Sequence, residues 1–229
     1  GLLLSHLLHL PAIESVVLEV RDRDYIEARV RAGVLEQGTV DLLDTSGLGT
    51  RMHELGLVHD GIELRFDRTP HRIGFGELTG GRQIMLYGQQ EVVKDLVAAR
   101  LAAGGDVRFE VSDVALGDLS TDSPMITFRH QGTRTELTCD VIAGCDGFHG
   151  ICRDSIPARS LTEYHREYPF GWLGILAHVA PSSDELIYTY TDRGFALLSM
   201  RSPEVSRLYL QVDPTEEVSN WPDHRIWDE

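Results

Sequence analysis

Apolar residues along this chain recur at two different intervals. In GLLLSHLLHLP, Leu3, Leu4, Leu7, Leu8 and Leu10 follow the i, i+3, i+4, i+7 spacing of a helical stripe, and Pro11 predicts its end. SVVLEV, residues 15–20, is then a short β-branched run closing on an acid. A second helix is predicted from about Gly33 to Leu43, on Val34, Leu35, Val40, Leu42 and Leu43, with TSGLG breaking it. A third runs through QEVVKDLVAARLAAGG after Gln89, with Val92, Val93, Leu96, Val97 and Leu101 as its stripe and Gly104 at its end.

Elsewhere the spacing is that of strands. GIELRFDR and QIMLYGQ precede the long helix, and VRFEVS, PMITFRH, RTELTCD and VIAGCDG follow it between polar turns. From Tyr168 the runs FGWLGILAHV, ELIYTYT, GFALLSMR and SRLYLQV are separated by hairpin-sized gaps. A short acidic helix, TEEVSNWPDHRIWDE, interrupted by Pro222, comes last. The opening helix, turn and buried strand read as the second half of a βαβ unit. The fold class predicted is therefore α/β, a Rossmann-like domain joined to a separate antiparallel β-sheet.

Composition narrows the functions open to this fold. At 229 residues the chain can bury a substantial core, as one large domain or two modest ones. No apolar run approaches the roughly 20 residues of a membrane span. A net charge of -15 opposes a phosphate-backbone footprint, so no nucleic acid and no membrane partner is expected, although local arginines can still hold a small anion. Three cysteines make no disulfide framework, and the apolar start lacks a basic flank and a small-residue cleavage site. The expected compartment is the cytoplasm.

Chemistry concentrates in AGCDGFHGICRDSIP, residues 143–157. Cys139, Cys145, His149 and Cys152 suggest zinc, but Cys139 and Cys145 share an extended run, and at about 3.3 Å per residue their thiols stand roughly 20 Å apart. The remaining Cys-x3-His-x2-Cys is one ligand short, so no metal is expected and the cysteines read as packing. Asp146 before Gly147 is either a structural Asp-Gly turn or a carboxylate facing a cofactor at a strand end. A second cluster lies near the C-terminus. Ser199 and Arg201 are two apart on one predicted strand, Arg207 and Tyr209 two apart on the next, and a hairpin pairing odd with odd positions places all four on one face. Arginines buried there call for an anion.

Taken together, RAGVLEQG, YGQQEV, AGCDGFHG, YPFGWLG, ELIY and RGFALLS resemble the flavin-dependent aromatic monooxygenases, and within them the enzymes that hydroxylate 4-hydroxybenzoate. The resemblance spans essentially the whole chain at nearly constant spacing. It implies a glutathione-reductase-like FAD-binding domain over 1–60 and 84–165, and a substrate-binding domain over 61–83 and 166–229. Gly1 resembles the last glycine of the family's G-x-G-x-x-G fingerprint, and the family's C-terminal Gly-Asp flavin motif has no counterpart, so the chain reads as an internal segment truncated at both ends.

Residue by residue, the resemblance implies FAD contacts by Glu19 at the adenosine ribose, Arg31 at the pyrophosphate, Gln89, Asp146 and Arg207. It implies NADPH contacts by Tyr25, Arg29, His149 and Arg153; His149 and Arg153 would lie four apart on one helical face. Val20 stands where an arginine often follows the ribose glutamate, which leaves NADH as the alternative donor. Ser199, Arg201 and Tyr209 would hold an aromatic carboxylate, Tyr188 would meet the phenolic oxygen, and His59 would form the outer end of a proton relay. Read without the family, Glu19 is a solvated strand-end acid, Arg31 a surface charge, Tyr188 a core aromatic, and the His149 and Arg153 pair a surface cluster.

The activity implied is hydroxylation of 4-hydroxybenzoate to 3,4-dihydroxybenzoate with NADPH and O2 through a flavin hydroperoxide, by a homodimer. The alternatives are a hydroxylase of another phenolic acid and a non-catalytic flavin-fold module that only binds.

Overall fold

A computed structural model describes residues 1–229. Helix α1 (Leu2–His9) leads into β1 (Val16–Leu18), and a short α2 (Arg23–Ala28) follows, capped by the Asp22 carboxylate accepting from the Tyr25 N–H at 2.7 Å. Strand β2 (Val34–Glu36) precedes α3 (Gln37–Thr45) and α4 (Gly49–Leu55). Strands β3 (Leu57–His59), β4 (Gly61–Phe66) and β5 (Thr69–Gly74), helix α5 (Phe75–Thr79) and β6 (Ile84–Leu86) come next. The long α6 (Gln89–Ala102) ends at Gly104, whose φ of +73° a residue with a Cβ resists, and β7 (Asp106–Arg108), β8 (Ser112–Gly117), β9 (Met125–His130) and β10 (Thr133–Thr138) follow. After two 3-10 turns come β11 (Gly171–Ala177), β12 (Leu186–Thr191), β13 (Gly194–Ser202), β14 (Val205–Val212) and α7 (Asp223–Asp228).

The chain divides into two compact units. The first comprises Gly1–Arg31, Thr45–Leu48 and Gln89–Tyr164; the second comprises Ala32–Asp44, Gly49–Gly88 and His165–Glu229. Residues 32–44, 49–60 and 84–88, expected with the first group, lie in the second, because β2 and β3 both hydrogen-bond to β6. Leu86 of β6 then shares a core with Leu186 and Met200.

In the first unit β1 and β7 pair in parallel, with Val17 level with Val107, and α1 and α2 both pack on α6. Strands β10, β9 and β8 form an antiparallel ribbon. Leu96 and Val97 of α6, Val111 and Phe128 are buried. Arg100 is buried as well, while Leu101, expected in the stripe, is exposed. The buried face of α1 also differs from the leucine stripe. Ser5 and His6 are buried, whereas Leu4 and Leu10 are exposed. Polar partners explain the rotation: Ser5 Oγ meets Ser15 Oγ at 2.7 Å, and His6 Nε2 lies 2.8 Å from the Ser46 carbonyl.

Two further expectations need correction. Residues 34–36 are strand rather than helix, since Val34, Leu35 and Glu36 pair with Leu86, Met85 and Ile84. VIAGCDG is not a strand: no other segment pairs with it, and Val141 is 79% exposed.

The second unit is built on a six-stranded sheet in the order β11-β14-β13-β12-β4-β5. All neighbours are antiparallel except β12 and β4, which run parallel with Leu186 opposite Ile62. The expected antiparallel sheet is thus mixed at one joint, where two hairpin systems from distant parts of the sequence meet.

Candidate functional site

The β13/β14 hairpin sets the geometry of the second unit. Ser199 lies opposite Arg207 and Leu197 opposite Tyr209, so odd positions pair with odd and share a face. A bulge between Met200 and Ser202 interrupts the ladder where Arg201 stands. These side chains line a cavity of about 360 Å³ together with Tyr188 of β12, and Trp172, Leu186, Phe195 and Leu197 make its walls largely apolar. Tyr188, Ser199, Arg201 and Tyr209, expected at a bound aromatic acid, and Arg207, expected at the flavin, all line this one cavity.

Local contacts hold several of these groups. Ser199 Oγ donates to the Arg207 carbonyl at 2.9 Å, and the Arg207 guanidinium lies 4.6 Å from the Tyr209 ring centroid. Gly33 carries no signal of a role in the sequence alone. A Cβ there would collide with the Arg201 guanidinium and come within 3.0 Å of Gly88 Cα, so only glycine lets that guanidinium rest against the 32–33 backbone. Burial raises the pKa of Tyr188, which keeps its phenol protonated through the neutral range. Its ring is tilted against Phe195 at 6.2 Å.

His59, expected at a relay's outer end, is only 2% exposed and does not line the cavity. Burial lowers its pKa, against the opposing pull of Glu185 and then Asp184, so the imidazole is neutral at pH 7.

The first unit carries the other candidates. Glu19 follows β1 directly; its backbone joins Arg108 and Val111, and its Oε1 accepts from the Arg21 N–H at 2.8 Å. No side chain caps the N-terminus of α1 at Gly1. Arg31 is exposed, and Gln89 opens α6. Asp146 serves its own turn: Oδ2 accepts from the Cys152 N–H at 2.9 Å, which lowers the carboxyl pKa. Gly150 is where that carboxylate rests, since a Cβ there would overlap it. The same acid, after burial, pushes the Cys152 thiol up to about 11, and all three cysteines are free.

Tyr25 and Arg29 are joined, Nη1 donating to the phenol oxygen at 2.8 Å. His149 and Arg153 do not share a helix, because 149 lies in a turn and 153 begins a 3-10 turn. Phe148 links them instead, edge-on to the His149 ring at 5.0 Å and under the Arg153 guanidinium at 4.6 Å. No helix is long and apolar enough to cross a membrane.

Comparison with known proteins places this geometry in a family. The chain is 48% identical over 229 residues to the p-hydroxybenzoate hydroxylase of Acinetobacter baylyi (strain ATCC 33305 / BD413 / ADP1), covering 100% of this chain and 56% of that protein. It thus spans a little over half the length of that curated relative. Among solved structures, p-nitrophenol 4-monooxygenase PnpA of Pseudomonas putida DLL-E4 superposes with a TM-score of 0.82 at 16% identity, over 96% of this chain and 57% of that one. PqsL of P. aeruginosa in complex with 2-aminobenzoylacetate gives 0.78 at 18% identity, over 93% and 58%. At such identities these two report the fold alone. The family described as FAD binding domain matches residues 1–229 from end to end, and this chain belongs to it.

Proposed function

We propose that the chain is part of a monooxygenase that hydroxylates 4-hydroxybenzoate to 3,4-dihydroxybenzoate with FAD, O2 and NADPH. The observation that carries this reading is the convergence of Tyr188, Ser199, Arg201 and Tyr209 on one apolar-walled cavity of a size suited to a single aromatic acid. The 48% identity to a protein named p-hydroxybenzoate hydroxylase supports the choice of acid.

The residues of the first unit fit FAD. Uncapped N–H groups at Gly1 and the exposed Arg31 suit a pyrophosphate, and the Glu19 carboxylate keeps Oε2 open toward ribose hydroxyls. Asp146, held by the Cys152 N–H, is assigned to the same cofactor with Gln89 and Arg207, and Tyr25, Arg29, His149 and Arg153 to the nicotinamide donor. When bound and reduced, FAD supplies the activation of O2 that the side chains of this chain lack.

The protein's own groups do the rest. Arg201, with Tyr209 and with Ser199 once its hydroxyl turns from the Arg207 carbonyl, holds the carboxylate and fixes which ring carbon faces the oxidant. Tyr188 stays protonated and hydrogen-bonds the substrate's phenolic oxygen, and neutral His59, outside the cavity, is the outer end of the relay that carries away the proton released as that oxygen ionises. Ionisation enriches the adjacent carbon in electrons, and the apolar walls of Trp172, Phe195 and Leu197 exclude water.

Full-length protein is expected to purify yellow, to oxidise NADPH faster when 4-hydroxybenzoate is added, and to release a catechol. Colourless protein, or NADPH use without hydroxylated product, would overturn this reading. Gly33→Ala is expected to push the Arg201 guanidinium aside and weaken 4-hydroxybenzoate binding about tenfold. Wild-type affinity in a titration would show that the guanidinium settles as well elsewhere.

A further inference from the structure

The sheet of the second unit assembles a charged cluster next to His59 that neither the cavity nor the cofactor residues account for. Arg72 grips Glu185 with two hydrogen bonds, Nε to Oε2 at 2.8 Å and Nη2 to Oε1 at 2.6 Å, and reaches Asp60 at 3.5 Å. The pairing of β12 with β4 explains the meeting. Leu186 is level with Ile62, so Glu185 arrives beside Gly61. A Cβ at Gly61 would lie 2.9 Å from Arg72 Nη2 and 2.7 Å from the Ile73 carbonyl, so its absence leaves the guanidinium room to cross.

His59 precedes Gly61 by two residues. It is buried, and its Nδ1 has no hydrogen-bond partner. On the neighbouring β6 it is level with Ile84, which is uncharged. The charged groups that act on it are Glu185 and Asp184, just before β12; Asp60 adjoins it in sequence, and Arg72 of β5 is tied to the site through its grip on Glu185.

We infer that the Arg72–Glu185 pair is a positioning device that sets the proton affinity of His59 from outside the cavity. Ionised Glu185 favours the imidazolium, and Arg72 cancels part of that field while fixing the carboxylate in place. Burial then keeps the imidazole neutral at pH 7, while the carboxylate beside it works in the opposite direction. The link to proton release from the substrate rests on His59 being the relay end proposed above; the coupling between the pair and His59 does not.

The two partners therefore have opposite effects, which makes the test specific. In full-length holoprotein labelled with 15N-histidine, the His59 midpoint read by NMR should fall by about half a pH unit in Glu185→Gln and rise by a similar amount in Arg72→Met. Loosened packing would admit water and raise the midpoint in both variants, so the fall in Glu185→Gln separates charge from structure. Midpoints that move in one direction in both variants, or not at all, overturn the inference. Should Glu185→Gln fail to fold, the Arg72→Met/Glu185→Gln double variant decides: its midpoint should lie below that of Arg72→Met, and equality overturns the coupling. If the midpoints shift as expected while the pH profile of hydroxylation stays put, the coupling stands and the relay role of His59 falls.

Discussion

Replacing Arg201 with alanine is expected to weaken 4-hydroxybenzoate binding to the full-length protein by about 2 kcal/mol, roughly thirtyfold in Kd. The expectation comes from the cavity: Arg201 lines a largely apolar space, and with Arg207 assigned to the flavin a carboxylate that loses its charged donor keeps the weaker contacts of Ser199 and Tyr209. A hydrogen bond to a charged group in such surroundings exceeds one made in water, and its loss leaves the anion poorly solvated. The contrast with a neutral ligand sharpens the test. Phenol, lacking the carboxylate, should bind the variant and the parent alike. Equal affinities for 4-hydroxybenzoate in the two proteins would mean that the carboxylate sits elsewhere.

Tyr188→Phe should act on turnover instead. Removing one phenol oxygen leaves the wall of the cavity and the contact with Phe195 in place, so substrate binding should change by less than about threefold. Hydroxylation should fall on the order of 100-fold, the usual scale for losing a positioned proton-transfer partner. The loss should be smallest at high pH, where the substrate phenol ionises without assistance. An unchanged rate of product formation across the pH range would remove Tyr188 from the chemistry and return it to the core.

How much of this was legible in the sequence depends on distance along the chain. The face shared by Ser199, Arg207 and Tyr209 followed from parity, because a tight hairpin and a period of two leave little freedom, and Ser199 does pair with Arg207. Val34 to Glu36 went to a helix because three residues are too few to separate the two periods, and their strand state is decided by β6, some fifty residues away. In α1 the leucines suggested the wrong centre for the buried face, since hydrogen bonds to Ser15 and Ser46 draw Ser5 and His6 inward. The role of Gly33 and the grip of Arg72 on Glu185 carry no local signal, since each depends on a partner more than a hundred residues distant.

The parallel joint between β4 and β12 has a consequence for biosynthesis. Ile62 and Leu186 are neighbours in the sheet, but 124 residues separate them on the ribosome. At about 5–20 residues per second, the β4–β5 hairpin emerges on the order of ten seconds before the strand that covers its open edge. During that interval the row of backbone donors and acceptors along β4 is a template for any strand nearby, including the same segment on an adjacent nascent chain. On β4 itself, the charges of Glu63 and Arg65 are what disfavours such pairing before β12 arrives.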